Sequence, residues 1–153
     1  MPEQPWHDEQ YVEVDAPPEA VYRYLADFSS RLDWADTVLD VEWPHGGFVV
    51  GAEFTTAGPA AADHRRLRIT ALQAPLRIAW DAEGGPGVEH WEFLLLPASQ
   101  GRTTLARRVT LDPAGTVRWL LRQRRHAARL AEENRTGLDR LKSSIEAAVR
   151  LQA

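Results

Sequence analysis

The chain has 153 residues, 44% of them hydrophobic and 26% charged, which fits one domain over 1–153 with a packed core and excludes a disordered or collagen-like polymer. The absence of cysteine excludes a disulfide frame, a thiolate nucleophile and a zinc–sulfur site, and leaves the cytoplasm as the expected compartment. A formal charge of −4 weighs against general affinity for nucleic acid, although the basic residues are 17 Arg against one Lys, Lys142.

Apolar runs such as Leu94-Leu95-Leu96 are far shorter than the roughly 20 residues of a membrane span, and Met1-Pro2-Glu3-Gln4 does not read as a signal peptide. A soluble protein without a membrane span is expected. Six Trp and three Tyr supply large apolar faces with polar tips, suited to a core or to a pocket wall.

In chain order, Tyr11-Val12-Glu13-Val14 alternates with period two and is stopped by Ala16-Pro17-Pro18-Glu19, since proline has no ladder N–H and suits the first turn of a helix. A strand then gives way to a helix over Ala20 to Phe28, where Val21, Tyr24, Leu25 and Phe28 recur at helical spacing. Ser29-Ser30 offers an N-cap for a second short helix ending near Trp34.

From Thr37 the period becomes two. Turn signals punctuate strands over Thr37 to Trp43, Ala52 to Thr56, His64 to Leu72, Arg77 to Ala82, Val88 to Leu96 and Thr103 to Leu111. Short loops between them imply antiparallel meander pairing. Ala57 to Ala62 is small and proline-interrupted, the composition of a mobile loop.

Asp112-Pro113 reads as an N-cap followed by an N1 proline, and the proline-free stretch from Thr116 to Gln152 as one long helix. Continuous, it would run to about 55 Å, and Gly137 is its expected weak point. Its apolar stripe reads Val117, Leu120, Leu121, Ala127, Ala128, Ala131, Leu138, Leu141, Ile145, Ala148 and Val149.

Strand, two short helices, antiparallel run and long terminal helix is the element order of the helix-grip fold, an α+β architecture in which a curved antiparallel sheet of about seven strands wraps the terminal helix. Val12-Glu13-Val14-Asp15-Ala16-Pro17, leading into Val21 to Phe28 and Trp34, resembles the opening of the START-like SRPBCC superfamily, which includes the polyketide cyclase/dehydrase group. Ile69-Thr70-Ala71-Leu72 with Pro75 and Trp80, Trp91-Glu92-Phe93 with Gly101-Arg102-Thr103-Thr104-Leu105, and Leu141-Lys142 with Glu146 resemble its central strands and closing helix. The resemblance implies an apolar cavity between sheet and helix, used in such families for lipids, aromatic polyketides or hormones. What this chain does with it rests on the cavity wall.

Strand alternation puts Leu67, Ile69, Ile78, Trp80, Trp91, Phe93, Leu95, Leu105 and Val109 toward the helix and Arg66, Arg68, Thr70, Arg77, Asp81, His90 and Glu92 toward water. Leu94 and Leu96 break the pattern, through a bulge or through an oligomer contact such as a homodimer's. Trp34, Phe54, Trp80, Trp91 and Phe93 are the aromatics expected around the cavity, a filled core being the alternative. Arg107, between Leu105 and Val109 on the inner face, is the first candidate for holding a ligand's polar end. A register slip exchanging it with Arg108, or an Arg leaning out of the sheet end, is the alternative.

Arg124 and Asn134 interrupt the helix stripe in the same way, with Ala127, Ala128 and Ala131 leaving room, unless this stretch overhangs the sheet. Tyr24 lies on the buried face of the first helix, and Leu120 on the stripe. His45 and His64 sit near rim loops, and Asp27, Asp33 and Asp36 cluster near the first loop, where capping or solvation is the plain reading. The expected ligand set is therefore Tyr24, Trp34, Phe54, Leu67, Ile69, Trp80, Trp91, Phe93, Arg107, Leu120, Arg124, Ala128 and Ala131.

The five histidines show no H-x-x-x-H or H-x-H spacing, and no phosphate-binding glycine loop or G-x-S-x-G elbow is present. No metal and no cofactor are expected, and no catalytic residue is identified. Asn134-Arg135-Thr136 is a chance glycosylation match within a helix. Arg118, Arg122, Arg124, Arg125 and Arg129 form a basic band, either solvated or facing an anionic surface. Three functions stay open: binding of an apolar small molecule; an aromatase/cyclase-type enzyme, implied by the resemblance, in which buried Arg and Tyr orient and enolise a poly-ketone; and a docking protein with a vestigial cavity.

Overall fold

A computed structural model of the chain describes residues 6–35, 38, 40–42, 47–60, 64–83, 87–113 and 117–152, the side chains of 28, 113 and 117–123 aside. It contains β1 (Trp6–Val14), α1 (Pro18–Ala26), α2 (Arg31–Trp34), β2 (Asp40–Glu42), β3 (Glu53–Ala57), β4 (Arg65–Gln73), β5 (Arg77–Glu83), β6 (Gly87–Pro97), β7 (Thr103–Pro113) and α3 (Val117–Leu151). A single antiparallel sheet runs β1-β7-β6-β5-β4-β3-β2, so β2 to β7 form the expected meander. The α+β helix-grip architecture read from the sequence is present, with its two short helices after the first strand.

Several boundaries move. The first strand begins at Trp6, because β7 runs eleven residues and offers partners as far as Trp6↔Leu111. Asp112 and Pro113 end β7 rather than capping the terminal helix, since β6 is long enough to pair them with Val88 and Gly87. Ser30 has helical backbone angles and makes no capping bond, because the turn Phe28–Ser30 already coils as a 3₁₀ segment. Residues 37, 39 and 43 of the expected second strand, and 61–62 of the small-residue loop, lie outside the described residues, as do His45 and Asp36.

β6 pairs with both neighbours without a register shift, whereas β4 slips against β5 between Ile69 and Ala71. Leu94 and Leu96 therefore reflect no bulge in β6. They face outward on a regular strand, Leu94 half-buried and Leu96 exposed.

The core lies between the inner face of the sheet and α3. Leu67, Ile69, Ile78, Leu95, Leu105 and Val109 from the strands meet Leu130, Leu138, Leu141 and Ile145 from α3. The covered stripe of α3 is His126, Leu130, Asn134, Leu138, Leu141 and Ile145, spaced by three or four residues as one helical face requires. The helix is unbroken through Gly137. Lys142 Nζ donates to Glu13 O at 2.8 Å and pairs with Glu146 at 2.6 Å, tying α3 to β1. Thr103 Oγ1 donates to Ala16 O at 2.7 Å and fixes the start of β7 under the turn into α1. Among the described residues no helix is long and apolar enough to cross a membrane.

Candidate functional site

β7 alternates without error: Thr103, Leu105, Arg107, Val109 and Leu111 are all buried and Arg108 is exposed. Arg107 therefore points inward, as the unshifted register requires, and is 1% exposed. Its guanidinium carbon lies 4.3 Å from the Trp91 ring centre, 5.0 Å from Trp34 and 5.5 Å from Phe93. Among the described residues Nε and Nη1 have no hydrogen-bond partner. Nη1 also abuts α3 at Gly137, where a Cβ would stand 2.8 Å from it. The glycine expected to weaken the helix instead gives the cation room against the helix backbone.

The aromatic rings form a linked group around this cation. Trp34 meets Phe93 edge-on at 6.2 Å, Phe93 tilts against Trp80 at 5.4 Å, and Trp80 stacks on Trp91 at 6.4 Å. A second guanidinium, that of Arg31 on α2, sits 5.1 Å from Trp80 and 5.5 Å from Trp34. Burial pulls the pKa of Arg107 down to about 9, with the Arg31 charge adding to the effect while Glu133 and Glu89 oppose it. Burial likewise lowers Arg31 to about 10 against the opposing charges of Glu133 and Glu89. Both remain cations at neutral pH. A desolvated cation–π contact is worth about 2 kcal/mol, whereas the effective penalty for desolvating an ion is several kcal/mol, so ring faces alone leave Arg107 under-compensated.

A partly open cavity of about 260 Å³ lies on this cation. Trp34 and Ala35 form one wall, Arg107 the floor, and Arg129, Glu132, Glu133, Thr136 and Gly137 of α3 the other wall and rim. Glu132 is held on the outside by Arg135 at 2.7 and 2.8 Å. Glu133 also lines a second, much smaller chamber of about 20 Å³ with Arg31, Arg65, Leu67, Glu89 and Trp91. There Glu89, 2% exposed, accepts from Trp91 Nε1 at 3.0 Å, lies 2.8 Å from His126 Nε2 and pairs with Arg65 at 3.2 Å. Burial alone would raise the Glu89 pKa; the His126 hydrogen bond, the Arg65 charge and the Trp91 hydrogen bond outweigh it and hold the carboxyl below its ordinary value.

The larger cavity's surface is mainly apolar, as the sequence reading expected, whereas the small chamber is mainly polar, and charged side chains stand in the lining of both. The reason is strand alternation: Arg65, Glu89 and Arg107 occupy inward positions two residues from Leu67, Trp91 and Leu105.

Of the expected ligand set, Trp34 and Arg107 come together at the larger cavity, and Leu67 and Trp91 at the small chamber. Phe54, Ile69, Trp80 and Phe93 are packed within the core. Tyr24 is half-buried on α1; its hydroxyl donates to Asp33 at 3.3 Å, and burial followed by the Asp33 charge pushes its pKa up to about 12. Arg124 and Ala128 are exposed, because the stripe through His126 and Leu130 turns them outward, and Ala131 is half-buried beside that stripe. The Leu120 side chain lies outside the described residues. Asn134 is fully buried, but its amide serves the seam with β1 and β7, donating to Asp8 Oδ2 at 2.9 Å and to Arg107 O at 3.2 Å. Asp27 accepts from Ser29 Oγ at 2.6 Å as a local cap, and His64 is exposed.

Sequence reasoning missed Arg31, Glu89, Glu133 and His126. Glu89 was legible as the residue two before Trp91, and His126 as the residue four before Leu130. The opposite face of the sheet carries its own shallow hollow of about 390 Å³, polar and rimmed by Arg77, Asp81, His90, Glu92 and Arg108. There His90 is clamped between Asp81 at 2.6 Å and Asp112 at 2.7 Å. Among the described residues no group of three or more His, Asp or Glu is placed to hold a metal ion.

The family described as "Polyketide cyclase / dehydrase and lipid transport" matches residues 6–146. Among solved structures, the Zhui aromatase/cyclase of Streptomyces sp. R1128 is similar over 95% of this chain and 96% of its own, at TM-score 0.78 and 18% identity. A Thermus thermophilus protein is similar over 94% and 99%, at TM-score 0.74 and 17% identity. DynU16, a protein of the dynemicin biosynthetic locus, is similar over 93% of this chain and 48% of its own, at TM-score 0.67 and 15% identity. At such identities these likenesses concern the fold. No curated protein matched the sequence.

Proposed function

The chain belongs to the polyketide cyclase/dehydrase and lipid transport family, and from that premise we propose that it binds a small aromatic molecule in the cavity between α2, β7 and α3. The observation that carries this reading is Arg107: a buried guanidinium that lines the cavity beside Trp34, Trp91 and Phe93, with two of its nitrogens lacking an acceptor among the described residues. A ligand ring would lie beside Trp34 and an oxygen on it beside Arg107, both of which line the cavity. The volume of about 260 Å³ lies just under the roughly 300 to 1,000 Å³ of drug-sized sites, which favours one or two rings over an extended chain.

The enzyme reading draws on the fold likeness to an aromatase/cyclase and on the capacity of Arg107 to polarise a carbonyl. Two features weigh against it here. A long poly-ketone exceeds the cavity, and Tyr24 on α1, the acid the reading wanted beside the arginine, is engaged with Asp33 of α2.

Titration of the protein with naphthalene-sized aromatics, followed by tryptophan fluorescence, tests the reading. Saturable quenching is expected in the wild type and weaker quenching in Trp34→Leu. A flat response across the panel would contradict it. Turnover of a short poly-ketone, lost in Arg107→Gln, would instead move the protein to the enzyme class.

A further inference from the structure

The two chambers, taken together, carry an unbalanced set of charges. Among the described residues and leaving the rim pair Arg129 and Glu132 aside, Arg31, Arg65 and Arg107 contribute three cations against the two carboxylates of Glu89 and Glu133. The two carboxylates are not equally placed. Glu89 is committed to Arg65, His126 and Trp91. Glu133 faces both chambers, and its charge acts on Arg31 and Arg107 together. A further carboxylate, Asp8 on β1, accepts from the amides of Asn134 and Gln10. At the rim, Glu132 is paired with Arg135 and lines the mouth together with Arg129. His126 lies against Glu89.

The surplus cation is Arg107. The centres of three rings lie within 5.5 Å of its guanidinium carbon, and its buried nitrogens Nε and Nη1, each of which shares an edge with Nη2, have no acceptor among the described residues. Guanidinium edges offer a planar fork that matches the two oxygens of a carboxylate. Gly137 keeps the helix side of that fork clear of a side chain.

Resting on the binding reading above, we propose that the ligand is an anion: an aromatic acid whose ring packs on Trp34 and whose single carboxylate meets the edge of Arg107, neutralising the excess charge. This narrows the expected apolar guest to a monoanionic one. The burial that lowers the Arg107 pKa leaves it charged over the neutral range, so the preference is not switched off between pH 6 and 8.

The test compares 2-naphthoate with 2-naphthamide, two probes of nearly equal shape that differ in charge, by calorimetric titration of the wild-type protein at neutral pH. The acid is expected to bind at least about tenfold more tightly, equivalent to 1.4 kcal/mol, and Arg107→Gln is expected to weaken the acid far more than the amide and so erase the difference between them. Equal or tighter binding of the amide by the wild type overturns the anion inference and leaves the aromatic cavity standing. Preference for the acid that persists undiminished in Arg107→Gln places the anion elsewhere and overturns it as well. Binding of neither probe removes the cavity reading on which the inference rests. The wild-type comparison holds even where the variant fails to fold.

Discussion

Replacing Gly137 with alanine isolates the contact between α3 and the buried cation. In a plain helix interior the change favours folding by about 1 kcal/mol. Here the new Cβ would stand 2.8 Å from Arg107 Nη1, while the next atoms, on the Trp34 ring edge, lie at an ordinary 3.8 Å. The guanidinium has to yield, and what it gives up is its 4.3 Å seat on Trp91, a desolvated cation–π contact worth about 2 kcal/mol. The two effects sum to a net loss of about 1 kcal/mol in the wild-type background. With Arg107→Met already in place the obstacle is gone, and the same substitution should stabilise by about 1 kcal/mol. A double-mutant cycle by urea unfolding should therefore report a coupling of about 2 kcal/mol between positions 107 and 137. An identical effect of Gly137→Ala in both backgrounds would refute the close approach.

Arg107→Met alone should leave stability unchanged or raise it by about 1 to 4 kcal/mol, as replacement of buried charge by well-packed apolar atoms often does, while lowering affinity for an aromatic acid; unfolding and titration of the same preparation check both. Glu89→Gln should destabilise by about 3 kcal/mol, because it leaves Arg65 and His126 beside a neutral amide, read from urea midpoints. The same variant should flatten the acid limb of stability. Glu89 is depressed in the fold, so its contribution is complete above the ordinary carboxyl value of 4.5 and is lost as pH falls through its lower folded value. His90 has the opposite sign: burial would lower its pKa, but Asp112 and Asp81 raise it. Its contribution is full below the ordinary value of 6.5 and fades as pH rises through the higher folded value, a slope that His90→Gln should abolish in melts taken across that range.

How far the sequence revealed the site follows from the local geometry of each element. Period-two alternation located the inner face of β6 and β7 residue by residue, and so placed Arg107 inside. The same rule reaches Glu89 and Arg65, but a charged residue at a strand end reads as solvated unless the partner strand is known to extend past it, and β1 and β7 ran further than their apolar cores suggested. Arg31 sits in a helix of four residues, too short for any periodicity to register. On α3 the alanines divide: Ala127 is buried, as its place on the apolar stripe implied, whereas Ala128 is exposed and Ala131 half-buried, and His126, Leu130, Asn134 and Leu138 mark the covered face. Arg124 is two positions from His126, which turns it to the far side. Gly137 looked like a flaw in a helix because its purpose lies on another element, in the end of the Arg107 side chain.

The central claim is that an aromatic guest seats against Trp34 and Arg107 on the helix side of the sheet. The most direct measurement is two-dimensional NMR of the 15N-labelled protein during titration with 2-naphthoate. The account predicts saturable shifts of the Trp34 and Trp91 indole N–H signals and of the Gly137 amide, with Thr70, His90 and Thr110 on the opposite sheet face unmoved. Shifts confined to that opposite face, or none at saturating probe, would contradict it.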